Sequence, residues 1–248
     1  MQISRTTTPR VDTSRSLPGI NSSTADYSAG DKTVIPTLLT MTLVTGLVDA
    51  VSYLGLGHVF TANMTGNVVL LGFAVGGAPQ LSVARSLTSL FAFVLGAVLG
   101  GRLSLTFSAA GRRSWLLKVG ACEAALLFIA ALACVGLNAG SNAPTSRIYI
   151  VIVMTAVAMG LATAAVRRLG AVDIRTTVLT STLAAVAGDS ALAGGSDHHL
   201  GRRVASILCM LAGAAAGALM LRFGLALSLV VGGMLVLGVA SAAAWLPN

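Results

Sequence analysis

The chain has 248 residues, of which 55% are hydrophobic and only 10% charged, with a formal net charge of +8. Soluble domains carry about a quarter of their residues as charges, so the composition excludes an ordinary soluble fold and points to a multi-pass membrane protein. Aromatic residues make up only 5% of the chain, and no basic run is interleaved with rings. The excess of Lys and Arg is therefore read as cytoplasmic flanks of membrane spans rather than as a nucleic-acid surface.

Residues 1–33 are rich in Ser, Thr, Arg and Asp and lack apolar clusters. Such a segment cannot bury a core, and the reading is a disordered cytoplasmic tail. The first apolar stretch opens at Val34 and has the length of a full span, which argues against a cleavable signal peptide. Eight apolar segments follow: Val34 to Leu56, Val59 to Gly77, Ser86 to Phe107, Trp115 to Leu137, Ile148 to Val166, Thr176 to Ala187, Val204 to Leu221 and Leu225 to Trp245. Helices of about 20 residues cross a hydrocarbon core of ~30 Å. Two segments are weak. The second opens on "HVFTANMTGNVV", and the sixth, "RTTVLTSTLAAVAGD", is short and dotted with hydroxyls.

The weak segments occupy matching places in a repeat. Setting Gly46-Leu47 over Gly160-Leu161 brings Thr61–Asn67 over Thr176–Thr182 with one inserted residue. Gly96 and Gly100 then fall over Gly213 and Gly217, and Arg85 over Arg202. If both weak segments dip in and return on one side, six spans remain. Arg5, Arg10, Arg15, Lys32, Arg102, Arg112, Arg113, Lys118, Arg167, Arg168, Arg175, Arg202 and Arg203 then share the cytoplasmic side, against Arg85, Arg147 and Arg222 outside. Eight crossings would split the charges evenly, which the positive-inside rule disfavours; seven, with the sixth segment crossing, would leave four outside. The expectation is an all-α membrane protein of about six transmembrane helices plus two broken or re-entrant segments. Three spans in each half, 34–137 and 138–248, make an inverted 3+3 repeat, an arrangement that places transporter sites at the repeat interface. The paired small-residue faces are expected to let the third and seventh segments cross each other.

Irregular backbone at membrane depth must be buried in protein or line a wet cavity. The candidate substrate-binding residues are Asp49, Asn63, Thr65, Gly66, Asn67, Thr177 and Thr180. The amides and hydroxyls supply polar groups, Gly66 is read as permitting the turn, and Thr65 or Asn67 as capping a half-helix whose N-terminus attracts anions. Asp49 lies well inside the first span, where a carboxylate is expensive and needs a purpose or a partner. It is read as binding a proton, a cation or a substrate amine; the competing reading is a carboxylate that accepts hydrogen bonds from Asn63, Thr65 or Asn67 and holds the broken segment. Glu123, in the fourth segment, is expected to form a structural ion pair with Lys118 or Arg102. Asp189 and Asp197-His198-His199 are read as a solvated loop, and His58 as interfacial. Cys122, Cys134 and Cys209 show no metal or disulfide spacing and read as small core residues. No phosphate-cradling or HExxH motif and no supported Ser–His–Asp set is present.

The run "GLVDAVSYLGLGHVFTANMTGNVVLLG", Gly46 to Gly72, resembles the YoaK-like family of bacterial membrane proteins of unknown function. Gly46, Asp49, Ala50, Phe60, Ala62, Asn63, Met64, Thr65, Gly66 and Asn67 carry the resemblance. It implies a multi-pass protein of the bacterial inner membrane and brings no substrate. The functional expectation is a small secondary transporter or permease, not an enzyme, for an unidentified small solute or ion. It would work within the lipid bilayer with no cofactor, metal or nucleic acid, and is compatible with a homo-oligomer. The alternative is a non-transporting scaffold or sensor.

Overall fold

The computed structural model describes residues 34–105, 107–136, 145–168, 179–188 and 200–245. The N-terminal tail, Thr176, Thr177, Asp189 and Asp197–His199 lie outside the described residues. Every regular element among those described is helical: α1 Val34–Gly55, α2 Met64–Val75, α3 Val83–Ser104, α4 Phe107–Ala133, α5 Thr145–Arg168, α6 Leu179–Gly188, α7 Leu200–Met220 and α8 Leu225–Trp245. A single 3-10 turn, Leu221–Phe223, joins α7 to α8. Six of the helices are long and apolar enough to span a membrane. The other two, α2 and α6, have 12 and 10 residues. At 1.5 Å per residue they reach roughly 18 and 15 Å, well short of a crossing.

Close contacts fix the direction of each helix. Leu43 and Leu47 of α1 lie on Gly213 and Gly217 of α7, so these two helices run parallel. Val157 and Leu161 of α5 lie on Gly96 and Gly100 of α3, another parallel pair. In the α4–α8 pair, Gly120 meets Ala240 and Gly233 meets the Phe128 ring, an antiparallel arrangement. Antiparallel too are α1 and α8, where Gly55 meets Leu225 and Gly232 faces Val44 and Leu47. Arg147, near the start of α5, donates to the carbonyl of Val135 beyond the end of α4 (2.8 Å), so α5 turns back along α4. Hence α1, α4 and α7 run one way and α3, α5 and α8 the other.

The two parallel crossings share one register. A Cβ on Gly46 would collide with the Met210 carbonyl and crowd the Ala214 nitrogen; one on Gly160 would collide with the Phe93 carbonyl and crowd the Ala97 nitrogen. Only glycine permits backbones to approach this closely. The third and seventh segments were expected to cross each other. They do not: α3 packs along α5 and α7 along α1, with no extended contact between α3 and α7. A small-residue stripe announces a close approach without naming the partner.

The centre of the bundle is α1, α4, α5 and α8; α3 and α7 flank it, with α2 on α3 and α6 on α7. Burial follows this order, from 67% of the apolar window in α1 and 61% in α5 to 17% in α7. The large apolar side chains left exposed, such as Phe91 and Val94 on α3 and Leu208 and Leu211 on α7, are those expected to meet lipid tails. Of the three cysteines, only Cys134 is buried, and Cys122 faces outward.

Helix direction also collects the charges. Arg102, Arg112, Arg113, Lys118, Arg167, Arg168, Arg202 and Arg203 lie towards one end of the bundle, where α1 begins; Arg85, Arg147 and Arg222 lie at the other.

Candidate functional site

The chain between α1 and α3 leaves and returns at the same end of the bundle. Past α1, Gly57 (φ 88°) and His58 (φ 59°) take left-handed backbone and turn the chain back. Arg85, in the first turn of α3, reaches the Gly57 carbonyl (3.4 Å), so the end of α1 and the start of α3 are neighbours. Between these points residues 59–63 descend without helical structure, and α2 climbs out again. The segment is re-entrant.

Asp49 holds its deepest part. Six residues before the end of α1, roughly 9 Å down the axis, the buried carboxylate turns Oδ1 towards three consecutive backbone N–H groups. Thr61, Ala62 and Asn63 donate to it at 3.1, 2.8 and 3.4 Å. A non-helical run leaves these N–H groups without intrahelical acceptors, and in hydrocarbon each would cost several kcal/mol unpaired. One anionic oxygen satisfies all three, and such bonds are stronger than neutral ones. Of the donors the sequence suggested for this clasp, Asn63, Thr65 or Asn67, Asn63 donates, through its backbone, and the backbone of Thr61 and Ala62 supplies the rest. Asp49 Oδ2 and the Thr61 hydroxyl are buried with no hydrogen-bond partner.

Asn67 holds the other side of the descent. Its amide copies a peptide group: Oδ1 accepts from the Phe60 N–H (2.9 Å) and Nδ2 donates to the Phe60 carbonyl (2.6 Å). Ser89 of α3 donates to the same carbonyl (2.6 Å) and accepts from Asn67 Nδ2 (3.2 Å). Ser89 stands six residues into α3, roughly 9 Å from the end that Asp49 also faces. Nothing in the sequence marked it, because a serine in a span is ordinary and its partner is a distant carbonyl. The Phe60 ring stacks on Tyr53 (4.8 Å between centroids), and His58, half-buried, meets Tyr53 edge-on.

The remaining candidates fall differently. The cap of α2 is Asn63, whose Oδ1 accepts from the Gly66 N–H (3.2 Å), and not Thr65 or Asn67. Thr65 is exposed. Gly66 is helical rather than the turning residue; a Cβ there would press on the Phe60 ring at 2.9 Å. Thr177 lies outside the described residues. Thr180 is exposed on α6, which packs on α7 and makes no extended contact with α1 or α2, so it is not brought to Asp49.

Thr163 and Ala164, the two residues that the repeat alignment could set against Asp49, line a cavity of about 390 Å³ between α3 and α5 together with Phe93, Ala97 and Arg167. Glu123 has no ion pair of the expected kind. Its Oε2 is buried and unpartnered, while Lys118 is exposed. Among the described residues no group of three or more metal-ligating side chains comes together.

Six spanning helices and a clasped re-entrant segment define a polytopic helical membrane protein. The chain matches the family described as "Protein of unknown function (DUF1275)" over residues 37–242 and belongs to it. It is 41% identical over 157 residues to the UPF0700 transmembrane protein YoaK of Bacillus subtilis (strain 168), covering 62% of this chain and 66% of that protein. The chain thus spans just under two thirds of that relative's length. No solved structure matches it.

Proposed function

We propose that the protein is a small secondary transporter of the bacterial inner membrane, built as an inverted 3+3 repeat, with its solute pathway between the halves. The observation carrying this reading is the pair of parallel crossings. The α1–α7 and α5–α3 contacts use residues aligned in sequence, yet the helices of the second crossing run opposite to those of the first. Two similar halves of opposed direction can rock against each other and expose a central site to either side in turn. The positive-inside rule puts the arginine-rich end, with Arg102, Arg167 and Arg202, in the cytoplasm. The cavity lined by Thr163 and Arg167 has a volume of about 390 Å³, the size of a small-molecule site. Its hydroxyl and guanidinium suit a small anionic solute.

In this reading Asp49 positions the re-entrant segment rather than touching the solute. The test is uptake of small anions and metabolites by proteoliposomes of purified protein. Arg167→Ala is expected to weaken uptake at least tenfold with insertion unchanged. If correctly inserted wild type moves no solute of any class offered, the transport reading is wrong.

One observation favours a second reading, a non-transporting scaffold or sensor: Asp49 spends Oδ1 on three backbone N–H groups of the re-entrant segment. That reading requires Asp49→Asn and Asn67→Ala to lower thermal stability while leaving every measured flux at the empty-liposome level.

A further inference from the structure

The apolar core is divided in two. One cluster contains Val44, Val48, Ala124, Leu127, Met159 and Val236; the other contains Leu38, Met41, Val119, Leu161 and Ala243. Along each central helix the division falls at one level: between Met41 and Val44 on α1, Val119 and Ala124 on α4, Met159 and Leu161 on α5, and Val236 and Ala243 on α8. Glu123 lies in this seam. It is the tenth residue of the 20-residue apolar span Ser114–Ala133, the middle of that span. It is 1% exposed, with Oε2 buried and without a hydrogen-bond partner.

Among the described residues no cation is placed to balance it. On α4 itself Lys118 is five residues away and about 140° round the helix, and it is exposed; Arg112 and Arg113 lie further towards the helix start, and Cys122 faces outward. Against α4 pack α8, α5 and α3. Helix α8 carries no titratable residue. Those of α5 are Arg147, Tyr149, Arg167 and Arg168, and those of α3 are Arg85 and Arg102, all within five residues of a helix end. Arg147 reaches Val135, twelve residues beyond Glu123, or roughly 18 Å along the axis. An ionised carboxylate with neither counter-ion nor donor at this depth is among the most costly groups a membrane protein can hold. A neutral carboxylic acid removes most of that cost.

We propose that Glu123 is a proton-binding site, carrying its proton on the carboxyl while it is buried in this seam and releasing it to water when the packing around it opens. The proton would then be the coupling ion of the transporter proposed above. That coupling rests on the transport reading; the proton site does not. The balance is simple: one carboxyl O–H bond breaks to leave a carboxylate and a hydrated proton, and it re-forms from the other side of the membrane.

Glu123 is the sole glutamate of the chain, so carboxyl-13C glutamate introduced by cell-free synthesis reports this site alone. In liposomes at neutral pH the labelled carbonyl stretch should appear at the position of a protonated acid, shift in heavy water, persist in Asp49→Asn and vanish in Glu123→Gln. A labelled signal at the carboxylate position at neutral pH would overturn the proposal, whatever the flux. The second arm imposes a pH gradient on proteoliposomes loaded with a pH-sensitive dye. Wild type should carry protons when transported anions are present, and Glu123→Gln should lose this proton movement while still folding. A protonated signal with no solute or proton flux upholds the site and overturns the transport reading. Solute flux with proton movement unchanged in Glu123→Gln overturns the coupling.

Discussion

Two carboxylates lie deep in this bundle, and their surroundings differ sharply. Asp49 meets three backbone N–H groups with one oxygen, at 2.8 to 3.4 Å. Glu123, in the middle of α4, leaves a buried oxygen with no partner. One acid is part of the architecture, because the segment it holds needs acceptors that a helix would otherwise supply. The other contributes nothing visible to architecture and stands at the level where the apolar core divides. Depth alone therefore does not assign a role to a membrane acid; the count of donors around it does.

The contrast can be broken by substitution. Asp49→Ala should have the largest effect. It strands the N–H groups of residues 61–63, and the loss should be ~3 kcal/mol or more, read as a markedly lower midpoint of thermal unfolding in detergent. Asn67→Ala should rank next, at ~1–3 kcal/mol, since the Phe60 N–H loses its acceptor while Ser89 keeps the carbonyl. Glu123→Gln should be the mildest, within about 1 kcal/mol of wild type, because no hydrogen bond to Oε2 is lost and the amide is nearly isosteric. Should Glu123→Gln unfold as readily as Asp49→Ala, the two acids are alike and the distinction between them fails.

Much of the fold was legible in the chain. Segment hydropathy found all eight helices, although α4 begins eight residues before the expected Trp115 and α2 five after Val59, and the polar interruption at "TANMTGN" marked the re-entrant turn, because backbone that is not helical must find polar partners. Pairing was less legible. Gly96, Gly100, Gly213 and Gly217 signal close approach, but their stripe is equally compatible with any smooth partner, and they meet α5 and α1 instead of each other. The site was half legible. Asp49 and Asn67 stood out as polar groups in apolar surroundings. Their partners did not, since backbone N–H and carbonyl groups are the same at every position and only the turn at Gly57 and His58 decides which ones come within reach. For Glu123 the nearby Lys118 looked like a partner in one dimension; on the helix it points elsewhere.

The clasp joins residues only twelve to fourteen positions apart. During synthesis Asp49 is the first acid of the spanning helices to leave the ribosome, and its donors follow within about one more hairpin's length of chain. The groove on α1 that receives Gly213 and Gly217 must wait for more than half of the protein. Insertion can thus begin from a locally completed N-terminal unit whose charge is already neutralised by its own backbone. Glu123 gains no such partner from its own neighbourhood, and α8, which packs on α4, can cover it only once the last helix has emerged.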